Sequence, residues 1–132
     1  MAKAKKAKQL DFAMTNRIGL LSEVTAAIAG AKVNINAICA YGVEGKAYFM
    51  ICTDSNAKAK KALAPLGVEI REEDVIFVEL PNKVGELQKV AKRIAGAEID
   101  INYMYGTAGT GKSSICVFKT SDDKKAIKTI NK

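Results

Sequence analysis

The chain has 132 residues, of which 48% are hydrophobic and 27% charged, and its formal net charge is +7. This composition is that of an ordinary globular protein and excludes the disordered and fibrous classes. No apolar run approaches the roughly 20 residues of a membrane helix, and no apolar segment of the signal-peptide kind follows the Lys-rich start. We therefore predict a cytoplasmic protein, with residues 1–9 as a basic flexible tail.

The first predicted unit spans residues 10–73 and opens with a strand and a helix. An apolar-rich strand over residues 10–15 ends at an Asn-bearing loop. The helix after it has apolar residues on one face, and Gly30 is its predicted C-terminal cap. Its inward positions recur at helical spacing: Leu20, Leu21, Val24, Ala27 and Ile28.

A hairpin and a second helix complete this unit. Strands over residues 33–41 and 46–53 flank a short Gly-containing turn. The helix is predicted over residues 56–66, and Gly67 ends it before a short strand at residues 68–70. The element order is therefore βαββαβ.

The second predicted unit, residues 74–132, repeats the first at an offset of 66 positions. Residues 16–21 align with residues 82–87, and Gly45-Lys46 recurs as Gly111-Lys112. A shared offset of this length indicates a duplicated domain. Seven further residues, Val24, Ile28, Ala29, Gly30, Ala31, Ile35 and Asn36, recur as Val90, Ile94, Ala95, Gly96, Ala97, Ile101 and Asn102.

The predicted class is α+β, with two ferredoxin-like βαββαβ units in tandem and antiparallel sheets that carry their helices on one face. Ser121 and Asp122 are predicted to cap the last helix. The sequence stops after that helix, so the second unit lacks its last strand. Because an unpaired strand edge favours association, we expect this edge to be left short, covered by the other unit or paired with another chain. A homodimer is the expected oligomeric state.

Residues 106–113, GTAGTGKS, satisfy the Walker A expression GxxxxGK[ST]. That motif needs a helix directly after its loop, because the helix N-terminus holds the phosphates. Here residues 114–118 read as a strand, and their repeat partner at residues 48–52 does so too. We interpret the segment as a hairpin turn and predict no nucleotide, metal or other cofactor.

Polar residues recur at two places in each unit. An Asn-x-x-Gly segment precedes the first helix, where exposed N–H groups favour a carboxylate and an Asn amide both donates and accepts. A second polar set starts the next strand, with Asn34 and Asn36 in one copy and Asp100 and Asn102 in the other. We expect the two regions to be adjacent and to hold a small molecule. Four residues form either core or a side-chain pocket: Tyr41, Tyr103, Met104 and Tyr105.

Residues 16–21, NRIGLL, and residues 33–36, VNIN, resemble the signature of ACT domains, the regulatory modules of amino-acid metabolism. The resemblance covers nearly the whole chain. It implies an effector amino acid or related metabolite, held where the loop after the first strand meets the start of the second strand across a domain interface. It also implies a regulated enzyme or transcription regulator as partner. The implied ligand-binding residues are Asn16, Arg17, Ile18, Gly19, Leu20, Asn34, Ile35, Asn36, Asn82, Lys83, Val84, Gly85, Glu86, Asp100, Ile101 and Asn102.

The second copy departs from this pattern at two positions. Glu86 follows Gly85, and Asp100 stands where the first copy has Asn34. Its site is therefore expected either to favour an ammonium group or to be silent, with the fuller site in the first copy.

The alternatives to ligand binding are a structural role, RNA binding and catalysis. ACT domains that serve only in assembly make a purely structural role the main alternative. RNA binding is disfavoured, because the aromatic pattern of RNA-recognition motifs is absent from the central strands. Catalysis is disfavoured as well, since the chain has no His and no nucleophile paired with a base.

Cys39, Cys52 and Cys116 are odd in number and lie in apolar runs, which predicts free, buried thiols.

Overall fold

The computed structural model describes all 132 residues, and their contacts divide the chain into two units. The first unit is Lys8–Glu73. The second unit is Asp74–Lys132 together with Met1–Ala7. Strand β1, Lys3–Thr15, therefore begins in the second unit and ends in the first.

The first unit has the predicted element order. Its sheet runs β2-β3-β1, and the beginning of β4 lies beside β1. Both β1 and β2 pair antiparallel with β3. After β1 its elements are α1 (Leu20–Gly30), β2 (Ile35–Val43), β3 (Lys46–Thr53), α2 (Asn56–Leu63) and residues Arg71–Glu73 of β4 (Arg71–Pro81).

Alternation of burial along the strands places both helices of the first unit on one face of the sheet. Phe12 and Phe49 project from neighbouring strands into the core, and their rings stack with centroids 4.9 Å apart. The apolar stripes of α1 and α2 cover them, as the helical spacing predicts. The buried cluster comprises Leu10, Phe12, Leu20, Val24, Ile28, Val33, Ala47, Phe49, Ile51, Ala59 and Leu63.

Element ends in the first unit differ from the predictions at two points. Gly30 is still helical, and the left-handed residue after α1 is Lys32, with φ 60°. Gly67 does end the second helix, which tightens to a 3-10 turn over Ala64–Leu66. The strand predicted at residues 68–70 is wrong, because β4 begins only at Arg71.

The second unit repeats the arrangement. Its sheet contains the start of β1 and then β4-β6-β5, with β4 and β5 antiparallel to β6. The Asp122 carboxylate caps α4 by accepting a hydrogen bond from the Lys125 N–H, as predicted. Its other elements are α3 (Glu86–Gly96), β5 (Ile101–Thr107), β6 (Ser113–Thr120) and α4 (Asp123–Asn131).

The predicted flexible tail is instead the strand that residues 74–132 lack. Ala4 is only 8% exposed and belongs to the hydrophobic core of the second unit, with Ile76 and Ile130. The Asn131 amide binds both backbone groups of Ala4: Oδ1 accepts from its N–H at 2.7 Å, and Nδ2 donates to its carbonyl at 2.9 Å. The prediction failed because the strand carries four exposed lysines: Lys3, Lys5, Lys6 and Lys8. Their charges give a half-buried strand the sequence pattern of a solvated tail.

Cys52 and Cys116 are buried, as predicted, whereas Cys39 is half-buried. Burial raises the pKa of the Cys116 thiol above its ordinary value, so this side chain behaves as a small neutral hydrophobe. None of the four helices has the length and apolar character needed to cross a membrane.

Asp11 is a source of pH-dependent stability in the first unit. Burial raises the pKa of its carboxyl above the ordinary value, and the charge of Glu73 adds to this effect, while a hydrogen bond from Gln9 Nε2 at 2.7 Å opposes it. The folded state therefore holds this proton more tightly than the unfolded state does. The resulting stabilisation is present below the unfolded pKa and is lost as pH rises through the folded pKa.

We therefore expect Asp11→Asn to raise the free energy of unfolding at pH 7, by up to about 0.5 kcal/mol because the site is half-exposed and screened by solvent. At low pH, where Asp11 is protonated, the variant and the parent become equal. Urea titrations between pH 3 and pH 7 measure both values. Glu69→Gln, at an exposed position of the same unit, is the control. Equal stability of parent and Asp11→Asn across this range would show that the carboxyl is unperturbed.

Candidate functional site

The loop after β1 in the first unit is shaped by a left-handed glycine. Gly19 has φ 87° and stands at the N-cap of α1 without a side-chain cap. Leu20 enters the core, whereas Ile18 is fully exposed. Arg17 forms an ion pair with Glu23, with Nη2 and Oε2 2.6 Å apart, so its charge is already partnered by the first turn of α1.

Asn16 connects this loop to the hairpin of its own unit. Its N–H donates to the carbonyl of Gly45 at 2.9 Å. A Cβ on Gly42 would lie 3.0 Å from Asn16 Nδ2, so the carboxamide packs against a position where a larger residue would crowd it. The turn itself is tight, with positive φ at Glu44 and Gly45, as in a type I′ turn.

Asn34 and Asn36, the second polar set of the first unit, do not lie near the Asn16 loop of their own unit. Ile35 pairs with Thr53 at one end of β2, whereas Val43 pairs with Lys46 at the other end, beside Asn16. Since β2 has nine residues, this separation is about 27 Å at ~3.4 Å per residue. The expected adjacency is therefore wrong within one unit.

The Asn34 region has its own local structure instead. The Asn34 side chain donates to Asn36 Oδ1 at 3.1 Å, and the Asn34 N–H donates to the Asp54 carboxylate. In the second unit, the Asp100 N–H likewise donates to Ser121 Oγ at 3.0 Å. Ile101 pairs with Thr120 and Thr107 with Ile115, so Asp100, Ile101 and Asn102 lie at the end of β5 away from Asn82.

The corresponding loop of the second unit is bonded more closely to its hairpin. The Asn82 N–H donates to the Lys112 carbonyl at 2.8 Å. Its Nδ2 donates to the carbonyls of Gly109 and Gly111, at 3.0 and 3.1 Å. The Walker-like segment is therefore the turn between β5 and β6, as interpreted, and two of its carbonyls face an amide donor.

The charged residues of this loop lie at the start of α3. Gly85 has φ 84° at the N-cap, and Val84 beside it is fully exposed. Lys89 Nζ donates to Glu86 Oε2 at 2.8 Å, and this hydrogen bond holds the pKa of Glu86 below its ordinary value. Glu86 therefore remains a carboxylate at neutral pH, while Lys83 is exposed.

A cavity of about 280 Å³ lies between this loop and the end of β5. The predicted residues Asn82, Lys83 and Glu86 form one wall. Sequence reasoning missed most of the opposite wall and named only Met104 from it. The remaining lining residues are Leu80, Pro81, Leu87, Gly106, Thr107, Ala108, Ser114 and Cys116.

Two of the missed residues, Ser114 and Cys116, are displaced by one insertion in the repeat. Phe12 pairs with Phe49 in the first unit, and its counterpart Val78 pairs with Cys116, so the offset is 67 in β6 and no longer 66. Thr53 binds Asn56 Oδ1 just as Thr120 binds Asp123 Oδ1, which confirms the offset. Residues 114–118 therefore match residues 47–51, and the predicted partner, residues 48–52, is wrong by one.

Comparison with known proteins identifies the fold and the family. The family model described as ACT domain pair matches residues 5–132. No curated protein matches the chain. A protein from Bacteroides thetaiotaomicron is 29% identical, with a TM-score of 0.88 over 97% of this chain and 88% of that one.

Two aspartate kinase structures share the fold at lower identity. The regulatory subunit from Thermus flavus is 17% identical, with a TM-score of 0.68 over 98% of this chain and 94% of that chain. The ligand-free regulatory subunit from Thermus thermophilus is 16% identical, with a TM-score of 0.69 at the same coverage. Because the family model spans almost the entire chain, the protein belongs to the ACT domain pair family.

Proposed function

We propose that this protein is a regulatory module that binds an amino acid or a closely related small metabolite. The observation that carries the proposal is the cavity of the second unit, which brings Lys83 and Glu86 together with apolar side chains such as Leu80 and Met104. Small-molecule sites have this composition, with a few polar groups that orient the ligand. Membership of a family of regulatory modules supports the same conclusion.

The chemistry of the cavity fits a zwitterion. The Lys83 ammonium and the start of α3 attract a carboxylate, since a helix N-terminus carries partial positive charge. The Glu86 carboxylate, which already accepts a hydrogen bond from Lys89, also lines the cavity and attracts an ammonium group there. A volume of about 280 Å³ lies just below the roughly 300 to 1,000 Å³ of drug-sized sites, which suits a ligand of amino-acid size.

The output of binding in this proposal is a change of conformational equilibrium. A ligand shifts an equilibrium only by its differential affinity for the two states. We propose a partner enzyme or transcription regulator as the recipient, with the protein acting as a homodimer in the cytoplasm. The alternative is a structural ACT pair that binds no ligand.

A thermal-shift screen with the twenty common amino acids distinguishes these two roles. A ligand present at 100 times its Kd stabilises the folded state by about 2.7 kcal/mol, which corresponds to a rise in Tm of about 5 to 10 °C. We expect one or a few chemically related amino acids to give such a rise. Isothermal titration of the strongest one then gives its Kd. If no amino acid raises the Tm, the proposed binding of an amino acid is wrong, and the structural role gains support.

A further inference from the structure

The two units differ in one layer of side chains. It lies beneath the loop before α1 in the first unit and beneath the loop before α3 in the second. Three neighbouring strands contribute one residue each to this layer, as the strand registers show. In the first unit they are Ala40, Phe49 and Phe12. In the second unit the same positions hold Gly106, Cys116 and Val78, and each of these is smaller than its counterpart.

The larger residues fill the first unit. Phe12 and Phe49 are 6% and 3% exposed and stack with an interplanar angle of 11°. Leu20, at the first position of α1, is buried in the same cluster. An apolar layer packed in this way leaves no room for a ligand beneath the loop.

The second unit has a space at this level. Glu86 replaces Leu20 at the first position of its helix and stays at the cavity wall. A Cβ on Gly106 would lie 2.7 Å from Cys116 Sγ, so only glycine fits beside that sulfur. The turn between β5 and β6 contains one inserted residue relative to the turn between β2 and β3. Asn82 holds this longer turn by donating to the carbonyls of Gly109 and Gly111, and the cavity lies below it.

We propose that the second unit holds a selective site for an amino acid with a short aliphatic or thioether side chain, and that the equivalent space of the first unit is closed by Phe12, Phe49 and Leu20. This inference rests on the proposed function. The side chain of the ligand contacts Leu80, Leu87 and Met104, and its charged groups face Lys83 and Glu86. The apolar contacts in the cavity favour an aliphatic or thioether side chain over a charged one.

The test compares variants that close the cavity with one that leaves it open. Cys116→Phe introduces the residue of the first unit, and Met104→Trp fills the cavity from the half-exposed edge strand, where folding is less at risk. Ile38→Trp makes the same change at the equivalent position of the first unit and is the control. Isothermal titration with each of the twenty amino acids measures the Kd and the stoichiometry, after circular dichroism has confirmed that each variant is folded.

The expected result is selective binding of an aliphatic or thioether amino acid at one molecule per chain. Either closing variant weakens it at least 100-fold, and Ile38→Trp changes the Kd less than 3-fold. If an amino acid binds the parent but both closing variants retain its affinity, the site assignment is wrong while the proposed function stands. If no amino acid binds the parent, this inference is wrong, and so is amino-acid binding as part of the proposed function.

Discussion

Removal of residues 2–7 is expected to lower the free energy of unfolding by about 3 kcal/mol or more. The deletion removes a strand from the sheet of the second unit and with it the two hydrogen bonds between Ala4 and Asn131. Each buried hydrogen bond contributes about 1 kcal/mol, and loss of buried apolar surface adds to this. The edge of β4 next to β1 is also exposed, which favours aggregation.

Urea denaturation followed by circular dichroism measures the loss. A variant with Lys3→Ser and Lys5→Ser, which keeps the strand and removes two exposed charges, is the control and is expected to change stability by less than about 0.5 kcal/mol. A solvated tail would behave differently. In that case the deletion and the control would both be nearly neutral, and the assignment of Lys3–Ala7 to the second unit would be refuted.

Phe49→Ala is expected to cost about 4 kcal/mol, because it leaves a cavity in the core of the first unit and removes the stacking on Phe12. The equivalent change in the second unit, Cys116→Ala, removes one sulfur atom beside an existing cavity and is expected to cost about 1 kcal/mol. Chemical denaturation of both variants gives the comparison. Equal costs would contradict the conclusion that the first unit is packed at this level and the second is not.

The repeat predicts most of the fold, because each unit carries its own local signals. The helical spacing of Leu20, Val24 and Ile28 places α1 on the core, and Gly67 ends the second helix in the left-handed conformation that glycine favours. The same repeat identifies the turn at residues 106–113, since the strand after Ser113 matches the strand after Lys46.

Non-local pairing accounts for the main error. The segment Lys3–Ala7 is paired in a unit whose other residues begin at Asp74, and its burial depends on Ile76 and Ile130. The local pattern of lysines carries no information about this pairing with the second unit. A vacant edge was predicted for the second unit, but which segment fills it depends on the three-dimensional path of the chain.

The candidate site was predicted in part. The loop residues Asn82, Lys83 and Glu86 were named, because polar residues at a helix start have a local chemical meaning. The opposite wall, including Gly106 and Cys116, was missed. A single inserted residue changes which side chains face the core, since strand side chains alternate. The offset of 67 is carried by the ends of β3 and β6, where Thr53 matches Thr120 and Asn56 matches Asp123.

A crystal structure with the amino acid that binds most tightly tests the central claim most directly. The account predicts ligand density in the second unit, between the start of α3 and Met104, with its charged groups at Lys83 and Glu86. It predicts no ligand between Leu20 and Phe49 in the first unit. Density beneath the loop of the first unit, or a second-unit cavity that stays empty in the complex, would contradict it.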